Sequence, residues 1–142
     1  METTTTTSLP WSRAEDLPEG AAEPGPGTLD PAPLLGTWIN TNPRVRGIAR
    51  IVLAANGGRF TVQVSGANGD APIDWGEVPA TPFAHDAGSR ETMAFSAAYD
   101  LGFQRVELQA NVKQGVLVVA SFNEFTDGSG RSSYFTREFF YR

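Results

Sequence analysis

The chain has 142 residues, the size of one domain, and its net charge of −5 is distributed unevenly. Residues 1–33 hold six acidic residues and one basic residue, whereas residues 34–142 are balanced at ten of each. The neutral part has a single Lys and no basic stripe, which argues against nucleic-acid binding. With no Cys and one His, the chain is not expected to hold a metal, an iron–sulfur cluster, a haem–thiolate or another cofactor. No apolar run approaches the roughly 18 residues that cross a membrane.

Residues 1–33 are predicted to form a disordered, acidic leader. They contain a threonine run and six of the ten prolines, and so have too little apolar surface to offset the entropy of ordering. They lack a basic region followed by an apolar one, so they do not form a secretory signal, and we expect a cytoplasmic protein. The apolar residues Leu9, Trp11 and Leu17 leave an alternative open, in which the leader docks Trp11 onto the domain or a ligand.

Residues 34–142 are predicted to form an all-β domain, because their apolar residues recur with a period of two. The turns between strands are rich in Gly, Asn and Asp, as in Asn56-Gly57-Gly58 and Gln114-Gly115. The predicted strands are 36–42, 46–54, 59–66, 73–84, 90–99, 103–113, 115–125 and 131–141. Eight antiparallel strands with short turns close most simply as an up-and-down β-barrel. A two-sheet sandwich is the alternative, since the stretch 66–89 is long enough to supply a crossover.

One strand departs from the alternation of apolar and polar faces. Residues 116–120 are apolar on both faces, so the outer face of the strand 115–125 is expected to pack against a second subunit, the leader or a loop. We therefore expect a homodimer.

The segment Gly36-Thr37-Trp38-Ile39-Asn40 resembles the first strand of calycins, the superfamily of lipocalins and avidins. Lipocalins share Gly-x-Trp at this position, and avidins share Gly-Thr-Trp followed by an aromatic residue and Asn. The resemblance implies a lipocalin-like, eight-stranded barrel with Trp38 at its closed base and Asn40 pointing into a ligand cavity. It also implies a late Arg packed across Trp38, for which Arg137 is the counterpart, in a cation–π stack. The later Trp-bearing strands of avidins are missing, so biotin is not the expected ligand.

Two further segments resemble an uncharacterised group of small bacterial barrel domains. They are Asp74-Trp75-Gly76 and Phe125-Thr126-Asp127-Gly128-Ser129-Gly130-Arg131. In that group a Cys often precedes the Asp-Trp-Gly, whereas Ile73 stands there in this chain. This resemblance supports the fold and a bacterial origin, and implies no particular function.

An eight-stranded barrel encloses side chains or one small ligand, so function is expected inside it or at its mouth. The alternative is that the aromatic side chains, Phe83 among them, fill a solid core. The candidate ligand-binding residues are Trp38, Asn40, Trp75, Phe95, Tyr99, Phe122, Tyr134 and Arg137.

Asp74, Glu124 and Tyr99 are the candidate catalytic residues. Asp74 lies beside Trp75, and an indole could desolvate its carboxylate and raise its pKa; the alternative is an Asp that orders the turn before Gly76. Glu124 either points into the barrel mouth or pairs with Arg131 at the strand end. His85, the only His, is expected on the surface, with a proton-transfer role as the alternative.

The leading expectation for function is a barrel that binds a small, apolar or amphipathic molecule, with the larger part of the ligand apolar. The first alternative is a cofactor-independent cyclase or isomerase that folds a natural-product intermediate inside the barrel. The second alternative is a protein–protein interaction module that uses the outer face of the strand 115–125. Both ligand-based expectations require an interior cavity of at least roughly 300 Å³.

Overall fold

A computed structural model describes residues 29–142, and the predicted leader up to residue 28 lies outside the described residues. A 3-10 turn, Ala32–Leu34, precedes nine strands. The strands are β1 (Gly36–Asn40), β2 (Ile48–Asn56), β3 (Arg59–Gly66), β4 (Ile73–Pro79), β5 (Thr81–Ala84), β6 (Thr92–Asp100), β7 (Gln104–Lys113), β8 (Val116–Phe125) and β9 (Tyr134–Tyr141). They form one antiparallel sheet in the order β4-β3-β2-β1-β9-β8-β7-β6-β5. This sheet curls into a nearly closed barrel, which confirms the predicted all-β, barrel-like class.

The strand count is nine, so the predicted eight strands are wrong by one. The predicted strand 73–84 divides into β4 and β5 on either side of Ala80. The N–H of Ala80 still donates to the Phe60 carbonyl of β3 at 2.9 Å, after which the chain pairs with β6 instead. Pro79 and Pro82 flank this change of partner and lack the N–H that a continuous ladder needs. The bend at Ala80 therefore joins β4 and β5, the two edge strands of the sheet. We call the place where these two edges meet the seam of the barrel.

The hairpin of β7 and β8 shows how turn chemistry fixes which side chains face inward. Gln114 and Gly115 both have positive φ, 52° and 81°, as a two-residue hairpin turn of the primed type requires. The turn sets Val112 opposite Leu117, and the register continues without a shift along both strands. Because Val106, Leu108 and Ala110 are buried on β7, their partners on β8 are buried too. The inward residues of β8 are Leu117, Val119, Ser121 and Asn123.

The base of the barrel is closed by Trp38, which is fully buried. Its Nε1 donates to the Leu34 carbonyl oxygen at 2.9 Å, so the 3-10 turn lies across this end. The guanidinium that covers the indole belongs to Arg142, 4.3 Å from the ring, and its Nη1 also donates to the Leu35 carbonyl at 2.9 Å. The expectation that Arg137 covers Trp38 is therefore wrong. Arg137 is exposed on the outer face of β9, where it lies over Phe135 at 5.8 Å.

The chain already pairs with the barrel at Asp30, ahead of the 3-10 turn. Asp30 forms an isolated bridge with Glu91, and the Thr92 N–H donates to the Asp30 carbonyl at 3.0 Å. The chain thus enters the barrel beside the start of β6, at the closed end. Among residues 29–142, no helix has the length and apolar composition needed to cross a membrane.

Candidate functional site

The open end of the barrel contains a cavity of about 400 Å³. It lies opposite the base, where the loops that follow β1, β3 and β8 and the turn between β6 and β7 meet. We call it the mouth cavity. Its lining residues come from strands on all sides of the barrel: Arg46, Gly47, Ile48, Gly66, Ala67, Ile73, Trp75, Gln104, Ser121, Asn123, Tyr134, Thr136 and Glu138. The volume exceeds the roughly 300 Å³ at which ligand pockets begin.

One wall of the mouth cavity is a network of amides and hydroxyls from β7, β8 and β9. Gln104 Nε2 donates to Asn123 Oδ1 at 3.0 Å, and Asn123 Nδ2 donates to the Tyr134 carbonyl at 3.3 Å. The hydroxyls of Ser121 and Thr136 bond to each other. Gln104, Ser121 and Asn123 are buried, so their mutual bonds offset the cost of removing them from water. Gln104 Oε1 takes no part in these bonds, which leaves an amide oxygen that can accept from a ligand.

Glu138 supplies the carboxyl group of the mouth cavity. It is half-buried on β9, and its carboxylate oxygens lie against Gly47, 3.4 Å from the point where a Cβ would be. Burial raises the pKa of the Glu138 carboxyl, and hydrogen bonds from the Ile48 backbone and the Asn40 side chain oppose that rise. Among residues 29–142 no ion pair includes Glu138, although Arg46 also lines the mouth cavity, so within this part of the chain the carboxyl can meet a ligand without first breaking an ion pair.

The facing wall is aromatic. The Trp75 indole packs so closely on Gly66 that a Cβ there would come within 2.7 Å of Trp75 Nε1. Trp75 also contacts the ring of Tyr99 edge-on, with 5.5 Å between ring centroids. Tyr134 stands at the rim, about half exposed, with its ring 6.0 Å from that of Phe125. The cavity therefore offers a ligand a flat apolar surface on one side and hydrogen-bonding groups on the other.

Two of the eight predicted ligand-binding residues, Trp75 and Tyr134, line the mouth cavity. Trp38 and Phe95 are buried in the core at or below 1% exposure. Asn40 is also buried, and its amide holds the loop after β1 by donating to the Ile48 carbonyl and accepting from the Asn42 N–H.

The other predicted ligand-binding residues lie away from the mouth cavity. Phe122 and Arg137 point outward, on β8 and β9. Tyr99 is buried, and its hydroxyl bonds to backbone groups of β3 and β4.

The predicted catalytic carboxylates are not in the mouth cavity. Asp74 is exposed and accepts from the Gly76 N–H at 2.8 Å and from Gln63 Nε2 at 3.0 Å. These bonds lower the pKa of Asp74, so the expected rise is wrong, and the residue orders the chain before Gly76 as the alternative stated.

Glu124 points outward and pairs with Arg105 at 3.1 Å, so both expectations for its position are wrong. Arg131 instead pairs with Asp127 at 2.8 Å, within the loop that follows β8. His85 is exposed in the loop after β5.

Sequence reasoning missed the other eleven lining residues, among them the polar or charged Arg46, Gln104, Ser121, Asn123, Thr136 and Glu138. The signal was present on β8, where the inward positions change from Leu and Val to Ser121 and Asn123 towards the mouth. We predicted instead that the face of this strand with Phe122 could point inward, because both faces are apolar near the start of the strand. The register set by the turn at Gln114 would have identified the inward face.

The residues of the mouth cavity suit recognition by hydrogen bonds and stacking, together with proton exchange at one carboxyl. Within residues 29–142 there is no group of three or more His, Asp or Glu side chains that could hold a metal ion. Comparison of the chain with protein-family models, with curated proteins and with solved structures finds no match.

Proposed function

We propose that this protein is a small-molecule-binding barrel whose ligand occupies the mouth cavity. The observation that carries this proposal is the convergence of seven hydrogen-bonding side chains on one cavity of about 400 Å³ that Trp75 also lines; the seven are Arg46, Gln104, Ser121, Asn123, Tyr134, Thr136 and Glu138. Ligand sites in proteins combine an apolar surface with a few placed polar groups in this way. We further propose that the barrel is calycin-like, of bacterial origin, and cytoplasmic.

The lining refines the kind of ligand. A largely apolar molecule would leave Gln104 Oε1 without a partner and would take water from the Glu138 carboxyl, and both changes cost free energy. An amphipathic molecule with one flat apolar face satisfies both walls. It would stack on Trp75 and exchange hydrogen bonds with Gln104 and Glu138, and no cofactor is needed for this.

Native mass spectrometry tests the proposal. Full-length protein is incubated with a small-molecule extract of its source cells, separated from unbound material, and weighed before and after denaturation. We expect a bound mass that denaturation releases. Thr136→Phe should abolish the bound mass, because the added ring fills the mouth cavity. Thr81→Phe, an equal change at an exposed position on β5, should retain it. The proposal fails if wild type carries no bound mass, or if both variants retain it.

A second candidate function is a cofactor-independent cyclase or isomerase. The observation that favours it is the position of Glu138, a half-buried carboxyl group that lines the mouth cavity and whose pKa is raised by burial, so that it can exchange a proton with a bound compound. An enzyme would convert the captured compound, so the same experiment separates the two functions. Wild type would then release an isomer of the compound taken up, detected by its chromatographic retention at unchanged mass, and Glu138→Gln would release the compound unaltered.

A further inference from the structure

Exposed aromatic side chains concentrate on one side of the barrel. Phe122, Phe135, Phe139 and Tyr141 point outward from β8 and β9, and each exposes between 43% and 51% of its surface. Phe122 and Phe135 are paired across the two strands, with ring centroids 5.2 Å apart. An exposed apolar area of this extent is typical of a protein interface.

Small side chains lie beside these aromatic residues. The outward residues of β6 are the small Ala94, Ser96 and Ala98, followed by Asp100 at the end of the strand. Ala120 is the outward residue at the middle of β8. Two grooves of about 680 and 850 Å³ run over these small residues. Phe122 and Phe135 border the smaller groove, and Phe83 and Phe139 border the larger one. We call the surface formed by the outward residues of β6 to β9 the outer face. It carries raised aromatic residues and shallow grooves on the same surface.

Besides the paired Arg105 and Glu124, the outer face carries an acid and a base on either side of β8. Glu107 lies on β7, opposite Phe122, and Arg137 lies on β9, opposite Ala120. The ion pairs among the described residues are Arg105–Glu124 and Arg131–Asp127, and neither includes Glu107 or Arg137. Both line the larger groove, on opposite sides of β8.

We propose that the outer face binds the outer face of a second copy of this chain across a two-fold axis. An axis parallel to the sheet, crossing β8 between Ala120 and Phe122, exchanges the positions of Glu107 and Arg137. Each copy's carboxylate then faces the other copy's guanidinium. With regular strand spacing, the same axis places Phe139 of one copy over Ser96 and Ala98 of the other. Raised aromatic residues thus enter grooves floored by small residues, twice per dimer, as an isologous interface requires.

The interface uses the side of the barrel and the proposed ligand site uses its open end; the smaller groove and the mouth cavity share only Asn123 and Tyr134. A second copy fits the outer face because the charges, and the aromatic and small residues, are complementary under one rotation.

Sedimentation velocity of the full-length chain over a concentration series tests the proposal. Wild type should sediment as a dimer. Glu107→Arg and Arg137→Glu should each raise the dimer dissociation constant about tenfold or more, because each places like charges together twice per dimer. The double variant carrying both reversals should restore the dissociation constant to near that of wild type.

Controls separate a specific interface from general stickiness. Phe139→Ser should weaken the dimer as the charge reversals do, whereas Phe103→Ser, which removes an equally exposed aromatic from the β6–β7 turn, should not. Circular dichroism confirms that each variant is folded. The proposal is overturned if wild type is monomeric at every concentration, if the double variant stays dissociated, or if Phe103→Ser dissociates the dimer as strongly as Phe139→Ser.

Discussion

Tyr99 connects three strands of the barrel through one oxygen atom. Its hydroxyl accepts from the Val64 N–H at 3.1 Å and lies 2.7 Å from the carbonyl oxygen of Gly76, to which it donates. The ladder between β3 and β4 is irregular at this point, with a register shift between Gln63 and Ser65. The phenol therefore supplies the partner that the Val64 N–H lacks, and ties β6 to β4 across the seam of the barrel.

Removing this oxygen should destabilise the fold and change its response to alkaline pH. Tyr99→Phe leaves a buried N–H and a carbonyl unpaired, so we expect a loss of about 1–3 kcal/mol in the free energy of unfolding. Burial raises the pKa of Tyr99 from 10.0 to about 12. The folded state therefore keeps the phenolic proton after the unfolded state has lost it, and stability falls as pH rises through this interval.

Urea unfolding between pH 8 and pH 12 measures both effects. The difference in stability between wild type and Tyr99→Phe should be constant below the unfolded pKa of 10.0 and shrink above it. Tyr141→Phe is the matched control, because Tyr141 is half-exposed on the outer face and no pairing of strands depends on its hydroxyl. Equal pH dependence of wild type and Tyr99→Phe would contradict the seam-closing role.

At the scale of elements, the end of β9 closes the base of the barrel. β1 and β9 are paired through Ile39–Tyr141 and Asn40–Phe140, which brings the next residue, Arg142, over Trp38. Arg142→Ala removes both the cation–π contact and the hydrogen bond to the Leu35 carbonyl, and should cost about 1–2 kcal/mol in the free energy of unfolding.

Thermal unfolding followed by circular dichroism measures this loss. Arg59→Ala, at an exposed position at the start of β3, should change stability by no more than about 0.5 kcal/mol. If both substitutions cost the same, Arg142 does not stabilise the base.

The strands and turns also show how much of the fold could be predicted from the sequence. Alternation and turn residues predicted the barrel-like all-β class, because each strand must present one apolar face to the interior. They did not predict the bend at Ala80, since the change of partner from β3 to β6 depends on where the barrel closes. Arg137 was preferred over Arg142 because it shares a face with aromatic residues, and only the register of β9 shows that this face points outward.

At the scale of the whole molecule, the two ends of the barrel differ in chemistry. The base is filled by Trp38, Leu34 and Arg142, whereas the mouth retains a cavity lined by Gln104, Asn123 and Glu138. The candidate site could be predicted only in part, because polar inward residues look like solvent-facing ones until the register is known. The asymmetry between a filled base and a polar mouth is the basis of the ligand-binding proposal.

Two-dimensional ¹H–¹⁵N NMR of the full-length protein, titrated with the compound that it captures from the extract, tests this proposal most directly. The account predicts shifts of the side-chain amide signals of Gln104 and Asn123 and of the Trp75 indole signal, with saturation at one equivalent. The indole signal of Trp38 should not move, because that side chain is buried at the opposite end. Shifts confined to outer-face residues such as Ala98 and Phe122, with the mouth signals unchanged, would contradict it.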